Sequence, residues 1–191
     1  MLLLFSIKRG CIPFLNVYFN QLEDNMNTCC FTGHRTYKLG LNKEKQLQLK
    51  ELIREQILFL INSGVNTFYT GMAEGIDLIC AEIIIELRKK NNQLKLIGAI
   101  PFPEQSNNWK NSDRVLYKAV LESCDEQVLI SPFYHNRCFH IRNQYMVDRS
   151  DIVLAVYNGS EGGTRYTVAY GKAQGKKLLI INPNNFQVEL I

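Results

Sequence analysis

Asp151-Ile-Val-Leu-Ala-Val-Tyr157 is followed at once by Asn158-Gly-Ser-Glu-Gly-Gly-Thr164. The first stretch is apolar and rich in β-branched residues, the pattern of a buried strand. The second is a glycine loop, and Thr164 to Gln174 beyond it reads as a helix. Strand, glycine loop and helix N-terminus in that order make an anion site. Glycine lets the backbone approach a phosphate, and the first N–H groups of the helix point at it. The competing reading is a loop that only turns the chain, because lone glycine motifs often do no more than that.

The same pattern recurs upstream. Strands are predicted at Thr28–Thr32, Val65–Thr70, Leu94–Ile100, Gln127–Ile130, Asp151–Tyr157 and Lys177–Ile181. Helices are predicted at Lys43–Ser63, Ile76–Lys90, Asn108–Ser123, Arg137–Arg149 and Thr164–Gln174. In the first helix Leu49, Leu52, Ile53, Ile57, Leu60 and Ile61 keep helical spacing, and Gly64 is a suitable stop. Strands that alternate with helices imply an α/β, Rossmann-like, doubly wound fold. Its sheet is mostly parallel, with helices on both faces. Such folds bind ligands outside the carboxyl ends of the strands, at a topological switch point.

Three glycine loops lie at those ends: Thr32-Gly33-His34-Arg35, Thr70-Gly71 to Asp77, and Gly159 to Thr164. None has the G-x-G-x-x-G dinucleotide spacing, and no Walker-type G-K-[ST] occurs. Candidate ligand-binding residues are Gly33, His34, Arg35, Gly71, Glu74, Gly75, Asp77, Arg142, Gly162, Gly163 and Thr164. The glycines expose backbone to a phosphate. Arg35 and Arg142 carry the charge and fork geometry that phosphate requires. Asp77 can accept from a ribose hydroxyl. Thr164 can donate to a phosphate or cap its helix. For Glu74 and Asp77 the plainer reading is complementing the positive end of a helix, and for Arg35 it is a solvated surface cation. His140 can line the same cleft, although a satisfied structural histidine is the reading preferred. Trp109 can stack on a base or belong to the core. No catalytic triad or metal cluster assembles from spacing, so neither catalytic residues nor metal ligands are assigned.

Length and composition set the remaining bounds. The 191 residues suit one domain with a real core. A net charge of +4 is mild and fits an anionic small ligand. The basic runs Arg88-Lys-Lys90 and Lys176-Lys177 fall at element ends, where solvated charge is ordinary. Without a clustered basic stripe, nucleic acid is not expected as a partner. The six cysteines contain no C-x-x-C pair, and Cys29 and Cys30 read as small buried hydrophobes. That usage points to a reducing compartment, the cytoplasm. Met1-Leu-Leu-Leu-Phe5 is apolar but is soon followed by Lys8 and Arg9, which fits neither a signal peptide nor a membrane span. Residues 1–25 are read as an extension outside the native fold. Either Met26 is the physiological start, or the extension is loosely attached.

Several motifs in one order resemble a known family. Thr32-Gly-His-Arg35, Gly71-Met-Ala-Glu-Gly-Ile-Asp77, Ile100-Pro-Phe-Pro-Glu-Gln105 with Trp109, Met146-Val-Asp-Arg-Ser-Asp151 and Gly162-Gly-Thr164 look like the YpsA-like family. That family belongs to the SLOG superfamily, with the DprA-like and the LOG, or lysine decarboxylase-like, proteins. The resemblance covers about residues 27–183. It implies a nucleotide-derived ligand in the glycine-loop cleft, and a homodimer. No other cofactor and no protein partner is implied.

The LOG enzymes cleave the N-glycosidic bond of nucleoside monophosphates, and the resemblance to them is partial. Their H-x-R-K-x-x-M helix corresponds to His140 to Met146, with Asn143 in place of the Lys. Their G-T-x-x-E loop corresponds to Gly163 to Thr167, with Thr167 in place of the Glu. Glycosidic cleavage needs a carboxylate to stabilise an oxocarbenium-like transition state or to position water, and Thr167 has none, which leaves Glu161 or Glu74 as the possible substitutes. The expectation is therefore a nucleotide-binding sensor or regulator without catalysis. The alternatives are a nucleotide N-glycoside hydrolase and a DprA-like single-stranded DNA binder.

Overall fold

The computed structural model describes residues 26–191, so the reading of residues 1–25 lies outside the described residues. In chain order the elements are β1 (Thr28–Gly33), a 3-10 turn (Thr36–Leu39), α1 (Lys43–Asn62), β2 (Thr67–Thr70), α2 (Ile76–Arg88), β3 (Lys95–Ile100), α3 (Asn111–Ser123), β4 (Glu126–Leu129), α4 (Cys138–Asp148), β5 (Ile152–Val156), α5 (Gly163–Ala173), β6 (Lys177–Ile181) and β7 (Val188–Leu190). They build one sheet of order β4-β3-β2-β1-β5-β6-β7. All neighbours are parallel except β6 and β7. This is the doubly wound α/β arrangement expected from the alternation of strand and helix patterns.

Each strand's burial follows its place in that order. β5 lies between β1 and β6 and is buried along its whole length. β4 is an edge strand and is exposed at Glu126, Gln127 and Leu129. It is short and polar, which discourages unwanted strand addition. Helices α1, α2 and α3 cover one face through Ile53, Ile57, Leu60, Ile83, Ile84 and Val120, packed around Phe31 and Phe68. The phenyl rings of Phe31 and Phe68 stack with centroids 5.6 Å apart. Helices α4 and α5 cover the other face, where Met146, Val147 and Val168 meet Cys30, Val153 and Leu178. Cys29 and Cys30 point to opposite faces, and both are fully buried free thiols.

Most bounds lie within two residues of expectation, and two differences are larger. The third helix begins at Asn111, not Asn108, because tight turns follow Pro103. Asn107 N–H donates to the Glu104 carbonyl and Trp109 N–H to that of Ser106, both at 3.1 Å. The strand β7 was not anticipated. Its three residues are too few for an alternation signal, and only pairing with β6 makes them a strand.

Asp151 closes the lower end of the sheet. Its Oδ2 accepts from the backbone N–H groups of Asn27 (2.9 Å) and Thr28 (3.0 Å) and from the Thr28 hydroxyl (2.7 Å). Burial pushes this carboxyl up, but those donors outweigh burial and hold it below the usual range. Asp151→Ala removes the acceptor that these three donors share. Urea denaturation is expected to show a loss of about 2 kcal/mol.

Candidate functional site

The sheet order creates a switch point. From β1 the chain winds outward through β2, β3 and β4, then returns to place β5 on the other side of β1. At their carboxyl ends Gly33 is level with Val156, so the loops after β1 and β5 diverge side by side. A cleft of about 400 Å³ opens there. It is lined by the β1 loop (Gly33, His34, Arg35, Lys38), the β2 loop (Glu74, Asp77), α4 (Phe139, His140, Arg142, Asn143) and the start of α5 (Gly162, Gly163, Thr164). Nine of the eleven candidate residues therefore share one wall-to-wall space.

The other two, Gly71 and Gly75, do not line it. Gly71 lies behind the cleft, where Arg142 Nη1 donates to its carbonyl oxygen. A Cβ at Gly71 would overlap that guanidinium and stand 2.6 Å from Asp77 Oδ2. Gly75 precedes α2 and packs against the backbone of Arg35. Both are needed for close backbone approach, and the object they approach is the protein itself.

Arg142 and Asp77 are each 5% exposed, and Arg142 Nη1 lies 3.4 Å from Asp77 Oδ2. Asp77 Oδ2 also accepts from the Ala73 N–H at 3.4 Å. Burial is the largest influence on both groups. It raises the Asp77 carboxyl to about 6 despite the nearby guanidinium, and lowers Arg142. Asp77 thus holds Arg142 in place, a role the sequence reading did not give it. Among the described residues, the buried side-chain polar atoms without a partner are Arg142 Nε and Gln105 Oε1. The first belongs to a cleft-lining side chain.

The β2 loop is held in an unusual shape. Met72 is buried with φ 55°, a conformation that costs a branched or bulky residue about 1–3 kcal/mol. Its N–H donates to Thr70 Oγ1 at 3.2 Å, and its carbonyl accepts from Gln105 Nε2 at 3.1 Å. The Ile100–Gln105 motif therefore serves the neighbouring loop. Trp109 does not reach the cleft. It packs edge-on against Tyr117 at 5.4 Å and belongs to the core.

His34 joins two loops, its Nε2 lying 3.1 Å from Ser160 Oγ. Burial, aided by Lys38, lowers its pKa from the ordinary value, so the ring is neutral at neutral pH. Arg35 is exposed and donates to the Tyr37 hydroxyl at 3.2 Å. Thr164 is buried inside the first turn of α5, and the N-cap is Gly162, at φ 135°. Thr164 is thus not the cap. The glycine cap leaves the first N–H groups of α5 facing the cleft without a competing side chain.

The two departures from the glycosidase pattern touch each other. Asn143 Nδ2 donates to Thr167 Oγ1 at 2.8 Å, and that hydroxyl donates to the Gly163 carbonyl at 2.9 Å. A neutral pair thus ties α4 to the glycine loop. Lys38, Phe139 and Asn143 were not among the candidates. For Phe139, His140, Arg142 and Asn143 the signal was available: helical spacing places them on neighbouring positions of one face. Lys38 carries no such mark. Among the described residues no cluster of three or more His, Cys, Asp or Glu is placed to hold a metal, and no helix is long and apolar enough to cross a membrane.

The folded protein binds the Asp77 proton more tightly than the unfolded chain does. Folding therefore gains from this group at low pH and loses that gain as pH rises from about 4 to about 6. Unfolding free energies measured across that window should fall more steeply for the wild type than for Asp77→Asn.

Comparison with known proteins agrees with this architecture. The chain is 28% identical to a UPF0398 protein of Halalkalibacterium halodurans over 144 residues, covering 73% of this chain and 76% of the relative. It is 27% identical to a UPF0398 protein of Bacillus cereus over 157 residues, covering 79% and 85%. Among solved structures it resembles DNA processing protein A of Streptococcus pneumoniae, with TM-score 0.56 and 16% identity, over 93% of this chain and 62% of that one. It also resembles DNA processing protein A of Helicobacter pylori, with TM-score 0.55 and 18% identity, over 83% and 66%. The chain thus spans less than two thirds of these two structural neighbours, and at such identity the likeness is one of fold. The YspA SLOG family matches residues 29–184, nearly the whole described chain, and the protein belongs to that family.

Proposed function

We propose that this protein binds a nucleotide or nucleotide-derived small molecule at the β1/β5 switch point and acts as a sensor or regulator without catalysis. The observation that carries this reading is that the buried Arg142 side chain, whose Nε has no partner, borders the same cleft as the N-terminus of α5. A phosphate accepts from both a guanidinium and helix N–H groups, and each such charge-assisted bond is stronger than a neutral one. Arg35 and Lys38 add positive charge at the cleft. Asp77, positioned for Arg142, keeps that side chain oriented rather than meeting a ribose.

The absence of catalysis rests on Thr167 and Asn143. The position that carries a carboxylate in the glycosidase pattern is a hydroxyl committed to Asn143 and Gly163. Glu161 is engaged by Arg165 at 2.7 Å, and Asp77 by Arg142. A single-stranded DNA reading is disfavoured because Glu74 and Glu161 interrupt the positive charge of the cleft, where a polyanion needs a continuous basic track.

Gly163 offers a clean test. A Cβ there meets only Asn143 Nδ2, at 3.9 Å, so substitution leaves the fold intact. Gly163→Asp places a carboxylate where the phosphate should sit. Calorimetric titration with AMP should bind wild type and show at least a roughly 100-fold loss in this variant, from losing about 3 kcal/mol of charge-assisted bonding. Unchanged affinity would place the site elsewhere. Wild-type protein incubated with nucleoside monophosphates should release no free base, and steady release would establish the hydrolase. A salt-sensitive gel shift with single-stranded DNA would favour the DNA-binding reading instead.

A further inference from the structure

His140 is exposed, yet its ring is held in a fixed orientation. It stacks on Tyr166 with centroids 4.4 Å apart and planes inclined by 18°. Tyr166 in turn lies nearly parallel to Tyr170, at 6.2 Å and 9°. The Tyr170 hydroxyl donates to Asp148 Oδ1 at 2.9 Å, which ties the far end of the stack back to α4. Three rings from two helices thus form a braced column. His140 is its cleft end, because it lines the same space as Gly162, Gly163 and Arg142. Tyr166 covers one face of the imidazole, and His140 remains exposed at the cleft.

We infer that His140 is the platform on which the heterocyclic base of the ligand stacks. This rests on the phosphate reading of the cleft and adds to it the part of the ligand that confers specificity. A bare phosphate or a sugar phosphate meets only the α5 N-terminus and the arginine. A nucleotide also meets an aromatic face already oriented by Tyr166, so no ring has to be immobilised on binding. A fused purine ring covers more of that face than a single pyrimidine ring does. The site therefore selects purine nucleotides over other phosphorylated small molecules.

The test compares AMP with ribose 5-phosphate in full-length wild type, His140→Ala and His140→Phe by calorimetric titration. Wild type should bind AMP about 10-fold more tightly than ribose 5-phosphate, in keeping with the usual worth of one stacked base. His140→Ala should lose that advantage while binding ribose 5-phosphate as wild type does. That unchanged binding also shows the variant folded. His140→Phe should restore the preference for AMP. Equal affinity for the two compounds in wild type, or an AMP affinity indifferent to His140→Ala, overturns the platform while leaving the phosphate site standing. Failure of both compounds to bind wild type overturns the phosphate site and the platform with it.

Discussion

The parallel pairing of β1 with β5 is the constraint on which the rest of this structure depends. The two strands are separated by more than a hundred residues, yet they run in register from Cys29 opposite Ile152 to Gly33 opposite Val156. Their contact reverses the direction in which the sheet is wound. It also leaves two loops that leave the sheet on either side of one gap. Asp151 fixes the lower end of the pairing through the Thr28 backbone and hydroxyl. Without that register the candidate residues on the first and last glycine loops would not share a space.

The cleft is built over a buried charge that the protein does not fully satisfy. Burying Arg142 and Asp77 together is costly, and their attraction offsets only part of that cost, as is usual for interior ion pairs. Asp77 answers by holding its proton to about pH 6, and Arg142 answers by using the Gly71 carbonyl. One nitrogen of the guanidinium remains without a partner. Met72, next to Gly71 in the same loop, is held at φ 55°. Polar groups left short of partners, and backbone held in a rare conformation, are tolerated where a ligand gives a return.

Asn143 and Thr167 join two helices through neutral groups. Asn143 and Thr167 are twenty-four residues apart and are bonded directly. This neutral pair ties α4 to α5 without supplying a carboxylate. Gly162, Gly163 and Arg142, the residues proposed to hold a nucleotide, take no part in that bond.

Local order in this protein was written in the chain itself. Apolar runs of β-branched residues determined the first six strands, helical spacing determined the five helices, and glycines at strand ends marked the loops. Each depends on neighbours within a few residues, so periodicity reveals it. The three-residue β7 and the late start of α3 escaped because neither carries a period long enough to read. Only the tertiary structure decided which loops converge, that Gly71 and Gly75 pack against Arg142 and Arg35, and that Asp77 grips an arginine sixty-five residues away. It also decided that Thr164 lies inside its helix while Gly162 caps it, and that Trp109 belongs to the core. These outcomes follow from sheet order and from the burial of charge, and both are set by contacts between segments distant in sequence.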